Sequence, residues 1–145
     1  MRTRLRLIVL IKQVPTTGDV WLDPNTKTLV RTGLSQVVSA LDRRAMAEAV
    51  RLKHKHGAHI TAVTMGPDQA RKALVECLAA GADEAVHLCD AELAGSDTLV
   101  TARALAAVLR SRPFDLVLAG QYSTDSGTGH VGPQVAELLR IPQVT

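Results

Sequence analysis

A chain of 145 residues is long enough to bury one hydrophobic core and fits a single domain. Hydrophobic residues make up 46% of it and charged residues 21%, a composition that excludes a disordered or fibrous chain. The net charge is only +3, and aromatic residues make up 2%. We expect no nucleic acid as partner, because such surfaces combine basic stripes with aromatic stacking platforms.

The first apolar run, Leu5 to Ile11, follows alternating arginines and ends at Lys12. It lacks a small-residue cleavage pattern and is too short to cross a bilayer. It therefore predicts a first β-strand, no membrane insertion and a cytoplasmic protein. Cys77 and Cys89 have no CxxC spacing and fall in predicted regular elements, so we expect two small buried hydrophobes in a reduced compartment.

Apolar runs alternate along the chain with segments of helical period. The predicted strands are Leu5–Gln13, which is expected to be buried, His59–Met65, Glu84–Cys89 and Phe114–Ala119. The predicted helices are Leu41–Lys55, a segment from Gly66-Pro67 to about Gly81, one capped by Ser96 and Asp97, and Val131–Arg140. This order predicts one α/β domain over residues 1–145, with a doubly wound, mostly parallel sheet, helices on both faces and right-handed crossovers.

Two local features refine this prediction. Val20–Leu22 and Thr28–Val30 flank the turn residues Asp23, Pro24 and Asn25, which predicts a small β-hairpin after the first strand. Ser39 and Asp42 have the spacing of a capping box at the start of the first helix.

Ligands of open parallel sheets bind beyond the carboxyl ends of the strands, and unusual residues follow these ends here. The strands lead into "KQVP", "MGP" and "AGQYSTDSGTGHVGP". In the last of these strings, glycines allow close approach of backbone amides, hydroxyls add donors, and a helix N-terminus follows. The string predicts a phosphate cradle, with a flexible Gly/Ser connection as the structural alternative. Its central residues are Ser123, Thr124, Asp125, Ser126, Gly127, Thr128 and Gly129.

The string "GTGHVG" within it is a literal GxGxxG, but a dinucleotide fingerprint belongs to the first strand–helix turn, with an acidic residue about 20 positions later. A dehydrogenase of the Rossmann type is therefore disfavoured. A Walker loop is absent, since no GK[ST] occurs.

Other reactive side chains favour structural roles. His54 and His56 diverge on a helix end and are better explained as solvent-facing than as a zinc site with His59. Ser123 and Ser126 lack a surrounding GxSxG, and Asp125 is best explained as a turn or hydroxyl-binding residue. We expect no metal site and no catalytic residue.

Several strings together resemble the electron-transfer flavoprotein beta subunit. They are "IVLIKQVP", "ALDRRAMAEAVRLK", "AVTMGPDQARKALVECLAAGADEAVHL" and "DLVLAGQYSTDSGTGHVGPQVAELLRIPQVT", in the order and spacing of the family. The resemblance implies a Rossmann-like adenine-nucleotide-binding fold. It also implies a non-enzymatic, cytoplasmic electron carrier that pairs with an FAD-bearing alpha subunit and passes electrons from dehydrogenases to a quinone-linked acceptor. The nucleotide held by the chain would be AMP, or a second FAD as in a bifurcating branch of the family.

The resemblance also assigns a cofactor site. The backbone of Leu10, Ile11 and Lys12 would edge the adenine, with Met65 and Gly66 nearby. Ser39 and Asp42 fall where the family has an Asn-Pro-x-Asp ligand corner. The ribose and phosphate would be wrapped by Gly120, Gln121, Ser123, Thr124, Asp125, Gly127, Thr128, Gly129, His130 and Val131.

The chain departs from the family pattern at this site. Ser39-Ala40 replaces Asn-Pro, and Tyr122, Gly127 and His130 stand where Gln, Asp and Gln are common. Family members also continue past "PQVT", so the chain is expected to be a fragment or a shortened relative. With these departures, the identity of the bound nucleotide stays open between AMP, FAD and ATP. The class of protein also stays open, with two alternatives: a stand-alone adenine-nucleotide-binding protein, or an ATP hydrolase of the universal-stress-protein-like superfamily.

Overall fold

The computed structural model describes residues 4–16, 22–28 and 35–145. Short 3-10 turns at Asp68–Ala70 and Ala91–Leu93 precede two of the helices. In chain order the strands and helices are β1 Arg6–Ile11, β2 Gln13–Pro15, β3 Gln36–Val38, α1 Ala40–His56, β4 His59–Met65, α2 Arg71–Ala80, β5 Glu84–Leu88, α3 Thr98–Arg110, β6 Leu116–Ala119 and α4 Val131–Leu139.

The main sheet has the order β5-β4-β1-β6, and β1 pairs in parallel with β4 and with β6. β4 pairs in parallel with β5. After β1, the chain adds β4 and β5 on one side of β1 and then crosses the sheet to add β6 on the other side of β1. The strand order reverses between β1 and β6, and this reversal opens the crevice in which ligands of such sheets bind. The predicted doubly wound α/β fold is confirmed.

Each face of the sheet is buried under one pair of helices. Side chains alternate along β1, because successive residues of a strand point to opposite faces. One core contains Leu7, Val9 and Ile11 and packs against α1 and α2. The other contains Ile8 and Leu10 and packs against α3 and α4. Coverage on both sides explains why the central strands β1 and β4 are apolar runs without polar alternation. The edge strands β5 and β6 contain no buried residue.

The first strand is shorter than predicted. β1 ends at Ile11, and Gln13 belongs to a second, antiparallel sheet in which β2 pairs with β3. Between them, the Lys12 amide donates to Asp42, 2.8 Å away, and the Lys12 carbonyl accepts from the Ser39 amide at 2.9 Å. Because both backbone groups are used by the start of α1, Lys12 leaves the sheet.

The predicted turn after the first strand is present. The Asp23 amide donates to the Thr28 carbonyl at 2.9 Å, and the Asp23 carboxylate accepts from the Asn25 amide at 2.7 Å. The ends of the predicted hairpin, at Val20 and Val30, lie outside the described residues. Within the described part of the chain, no helix is both long and apolar enough to span a bilayer.

Candidate functional site

Asp42 joins the carboxyl ends of the two strands on either side of the crevice. Its Oδ2 accepts from the Lys12 amide after β1 at 2.8 Å, and its Oδ1 accepts from the Gly120 amide after β6 at 3.0 Å. The residue is only 7% exposed. The predicted capping box is therefore wrong, because the Ser39 amide donates to Lys12 and the Asp42 carboxylate is used by two distant amides.

Gly120 leaves no room for a side chain at this junction. A Cβ atom there would overlap Asp42 Oδ1 and would lie 3.0 Å from both the Asp42 amide nitrogen and Leu41 Cβ. Distances this short between non-bonded atoms are strongly repulsive. The close approach of β6 to the first turn of α1 therefore requires glycine at position 120.

The segment from Gln121 to His130, here called the glycine loop, follows Gly120 and is anchored by Lys12. The ammonium nitrogen Nζ of Lys12 lies 2.8 Å from Asp125 Oδ1 and donates to the hydroxyls of Ser123 at 3.1 Å and Ser126 at 3.3 Å. The two hydroxyl oxygens are 2.8 Å apart. One lysine thus connects the end of β1 to three side chains of the loop.

The two carboxyl groups of the site are affected differently by their surroundings. Burial raises the pKa of Asp42 to about 6, although its two amide partners and the nearby Lys12 charge favour the ionised form. Burial also opposes ionisation of Asp125, whose side chain is 2% exposed. The hydrogen bond and charge of Lys12, together with hydrogen bonds from the Ser123 hydroxyl and the Ser126 amide, outweigh that effect, so the pKa of Asp125 lies below its usual range.

Two glycines shape the second half of the loop. Gly127 and Gly129 have φ angles of 63° and 65°, in the left-handed region that favours glycine. The Gly127 amide closes a turn on the Ser123 carbonyl at 2.8 Å. Within the described chain, the amides of Thr128, Gly129 and His130, just before α4, form no hydrogen bond. These donors and the N-terminus of α4 form a concentrated set of groups able to bind an anion.

The neighbouring strand contributes to the same edge of the sheet. Ile11 is opposite Thr64 in the register, and the Thr64 hydroxyl donates to the Ile11 carbonyl at 2.6 Å. Met65 and Gly66 follow directly, and the Gly66 amide donates to the Leu88 carbonyl at 3.0 Å. The ends of β4, β1 and β6 therefore form a continuous edge on which a ligand would lie.

The structure brings most of the predicted site residues to this edge but gives them different access. Leu10 and Ile11 have buried side chains, so only their backbone is available to a ligand. Ser39 is also buried, and its hydroxyl has no hydrogen-bond partner among the described residues. Tyr122, within the glycine loop, is 47% exposed. The glycine loop and the end of β4 thus offer the accessible groups, while Ser39 and Asp42 lie beneath them.

The roles of Lys12 and Asp42 were not predicted from the sequence. The sequence predicts only that the Lys12 backbone lies at the edge of the site, whereas its side chain also contacts the glycine loop. The available signal was a charged residue directly after a buried strand, at the end where ligands bind.

His54, His56 and His59 lie apart from this site, at the end of α1 and the start of β4. His59 Nε2 is 3.5 Å from Glu84 Oε1, and its Nδ1 is 3.8 Å from Asp83 Oδ2. His54 and His56 are exposed at the end of α1. No group of three His, Cys, Asp or Glu residues suited to a metal occurs in the described ranges. Cys77 is buried as expected, but Cys89 is exposed, because β5 ends one residue earlier than predicted.

Comparison with known proteins identifies the family to which this chain belongs. The model of the electron transfer flavoprotein domain matches residues 26–145. The beta subunit of electron transfer flavoprotein from Clostridium acetobutylicum is 47% identical over 141 residues, which cover 97% of this chain and 54% of that protein. The corresponding subunit of Thermoanaerobacterium thermosaccharolyticum is 48% identical over 141 residues, with the same coverages of 97% and 54%.

More distant relatives have related names. Protein FixA of Azotobacter vinelandii is 43% identical over 136 residues, which cover 91% of this chain and 48% of that protein. The chain spans about half the length of these curated relatives. The matched domain covers most of the chain, and the identities extend over nearly all of it, so the chain belongs to the electron transfer flavoprotein family and is similar to its beta subunits.

Proposed function

We propose that this chain is the nucleotide-binding part of an electron carrier. It holds AMP, or FAD in the same place, in the crevice between β1 and β6, and it docks on a partner subunit that carries the redox-active FAD. The chain itself has no catalytic residue in this proposal. It supplies position and electrostatics, while the flavin supplies the redox chemistry. We expect it to act in the cytoplasm.

The observation that carries the proposal is the set of amides at the end of the glycine loop. Thr128, Gly129 and His130 precede α4 and have no internal backbone acceptor within the described chain. The left-handed conformation of Gly129 brings the backbone into a tight bend there. A phosphate group is the ligand chemistry that such a bend and helix N-terminus recognise.

The charge of the site favours a ligand with few negative charges. Lys12 is neutralised by Asp125, and Asp42 adds a second buried carboxyl group. The glycine loop itself contains no Lys or Arg. A triphosphate needs cations to offset its charge, whereas neutral amides suffice for a single phosphate. The site therefore suits AMP, or the linked phosphates of FAD, better than ATP.

The names of relatives support the proposed partners. One relative from Acetobacterium woodii is called a subunit of a caffeyl-CoA reductase-Etf complex, and it is 42% identical over 143 residues. Another, from Anaerotignum propionicum, is called an electron transfer subunit of acryloyl-CoA reductase, and it is 39% identical over 145 residues. We infer that this chain also works in an assembly, and we propose an alpha subunit and a dehydrogenase as its partners.

Calorimetry with AMP, FAD and ATP tests the proposal, with the flavin-bearing alpha subunit present in a second series. We expect AMP or FAD to bind and ATP to bind weakly without being hydrolysed. Gly129→Ala should weaken binding at least tenfold, because the new Cβ would be strained at φ 65° and 3.4 Å from the Gln121 carbonyl oxygen. Gly57→Ala is the matched control, since Gly57 has φ 71° at the far end of α1. Failure of every adenine compound to bind in both series, or turnover of ATP, would overturn the proposal.

A further inference from the structure

We propose that Lys12 is a positioning residue of this nucleotide site. It orders the glycine loop through Asp125 and makes no contact with the phosphate. The inference rests on the proposed function, and it assigns to Lys12 a role different from that of a phosphate-binding lysine.

The hydrogen-bonding capacity of Lys12 is the first argument. An ammonium group has three N–H donors. The structure provides three acceptors within 3.3 Å of Nζ, namely Asp125 Oδ1 and the hydroxyls of Ser123 and Ser126. All three N–H groups are therefore used within the protein. To contact a phosphate, Lys12 would have to leave an ion pair whose carboxylate side chain is 2% exposed. That carboxylate would then be buried without its counter-charge.

The second argument is the backbone of Lys12, which is held at both ends. Its amide donates to Asp42 and its carbonyl accepts from Ser39. The side chain therefore extends from a fixed base at the end of β1. A lysine whose backbone is fixed in this way holds the glycine loop in place relative to the sheet, although the loop is rich in glycine and small hydroxyl residues.

The consequence for binding is entropic. A flexible loop must lose conformational freedom when it closes around a ligand, and this loss reduces affinity. If Lys12 and Asp125 order the loop in advance, the free amides of residues 128–130 already face the ligand. Removing either partner should weaken AMP binding about tenfold, the effect of about 1.4 kcal/mol of lost preorganisation.

A double-mutant cycle separates this role from direct contact. We expect Lys12→Met and Asp125→Asn to weaken AMP binding to a similar extent, and the double variant to be no worse than either single one, because both residues act through one interaction. If Lys12 instead contacted the phosphate, Asp125→Asn would release its ammonium group and strengthen AMP binding. Lys55→Met removes an equal charge from the exposed end of α1 and should leave AMP affinity unchanged.

Amide hydrogen exchange without nucleotide provides the second measurement. We expect the Gly127 amide, which is hydrogen-bonded to the Ser123 carbonyl within the loop, to exchange faster in Lys12→Met and in Asp125→Asn than in the unmodified chain, while the strands of the main sheet keep their protection. Tighter AMP binding by Asp125→Asn, or unchanged exchange in the glycine loop of Lys12→Met, would overturn the inference. If the unmodified chain binds no adenine nucleotide but the exchange result holds, the proposed function fails and the ordering role of Lys12 stands.

Discussion

The Gly120 amide and the Asp42 carboxylate meet across 78 positions of sequence, at an N···Oδ1 distance of 3.0 Å. Asp42 belongs to the first turn of α1, and Gly120 is the first residue after β6. The other oxygen of Asp42 holds the Lys12 amide. The position of the glycine loop relative to β1 thus depends on one buried carboxyl group and on the absence of a side chain at residue 120.

Gly120→Ala should destabilise the fold by about 1–3 kcal/mol, since the added methyl group must displace Asp42 or the first turn of α1. Gly132→Ala is the control, because a Cβ there would lie 3.9 Å from Ala119 Cβ in ordinary contact and within helix α4. That control should be neutral or slightly stabilising, given the low helix propensity of glycine. Urea unfolding of both variants measures the difference, and equal midpoints would contradict the prediction.

Two helix N-termini with different capping provide a second prediction. The Asp97 carboxylate accepts from the Val100 amide at 2.8 Å and caps α3, so Asp97→Ala should cost about 1 kcal/mol. Ser39 occupies the same position before α1, but its hydroxyl has no partner within the described chain. Ser39→Ala should therefore leave the free energy of unfolding nearly unchanged. A loss for Ser39→Ala as large as that for Asp97→Ala would show that the hydroxyl is a working cap.

The elements of this fold were predictable because their signals are local. The strand His59–Met65 was predicted to the residue, and the first helix, predicted over Leu41–Lys55, runs from Ala40 to His56. Parallel strands also place their carboxyl ends at one edge, so the site could be located without knowing any contact. Hydrophobic periodicity and helix-ending glycines carry this information within short windows of sequence.

The contacts that organise the site were not predictable in this way. The spacing of Ser39 and Asp42 fits a capping box, but the same carboxylate also fits between two strand ends. The choice depends on the Lys12 and Gly120 amides, which lie 30 and 78 residues away in sequence. The Lys12–Asp125 pair is separated by 113 residues. No local pattern encodes which of two competing partners is closer in the folded chain.

The two cysteines should differ sharply in reactivity. Cys77 is 2% exposed in α2, and burial raises the pKa of its thiol to about 11. Cys89 is exposed after β5. Because the thiolate is the reactive form, iodoacetamide near neutral pH should label Cys89 alone in the folded chain and both cysteines in urea. Intact-mass measurement counts the adducts, and Cys89→Ser should remain unlabelled when folded. Labelling of folded Cys89→Ser would show that α2 opens readily.

The pKa of Asp42 predicts a pH dependence of stability. Its folded-state pKa of about 6 lies above the ordinary value of 3.8, so the native chain binds this proton more tightly than the unfolded chain does. The contribution of Asp42 to the free energy of unfolding should therefore fall by about 3 kcal/mol as pH rises from about 4 to about 6. Asp42→Asn cannot titrate and should lack this fall.

Urea unfolding of both proteins from pH 4 to pH 8 isolates the Asp42 effect as the difference between two curves. The lowered pKa values of Asp83 and Asp125 act in the opposite direction, because their contributions are lost as pH falls below the ordinary aspartate range. They are also common to both proteins and cancel in the difference. The unmodified chain should lose stability relative to Asp42→Asn as pH rises through this window. Parallel curves would mean that the amides of Lys12 and Gly120 offset the burial of the Asp42 charge completely.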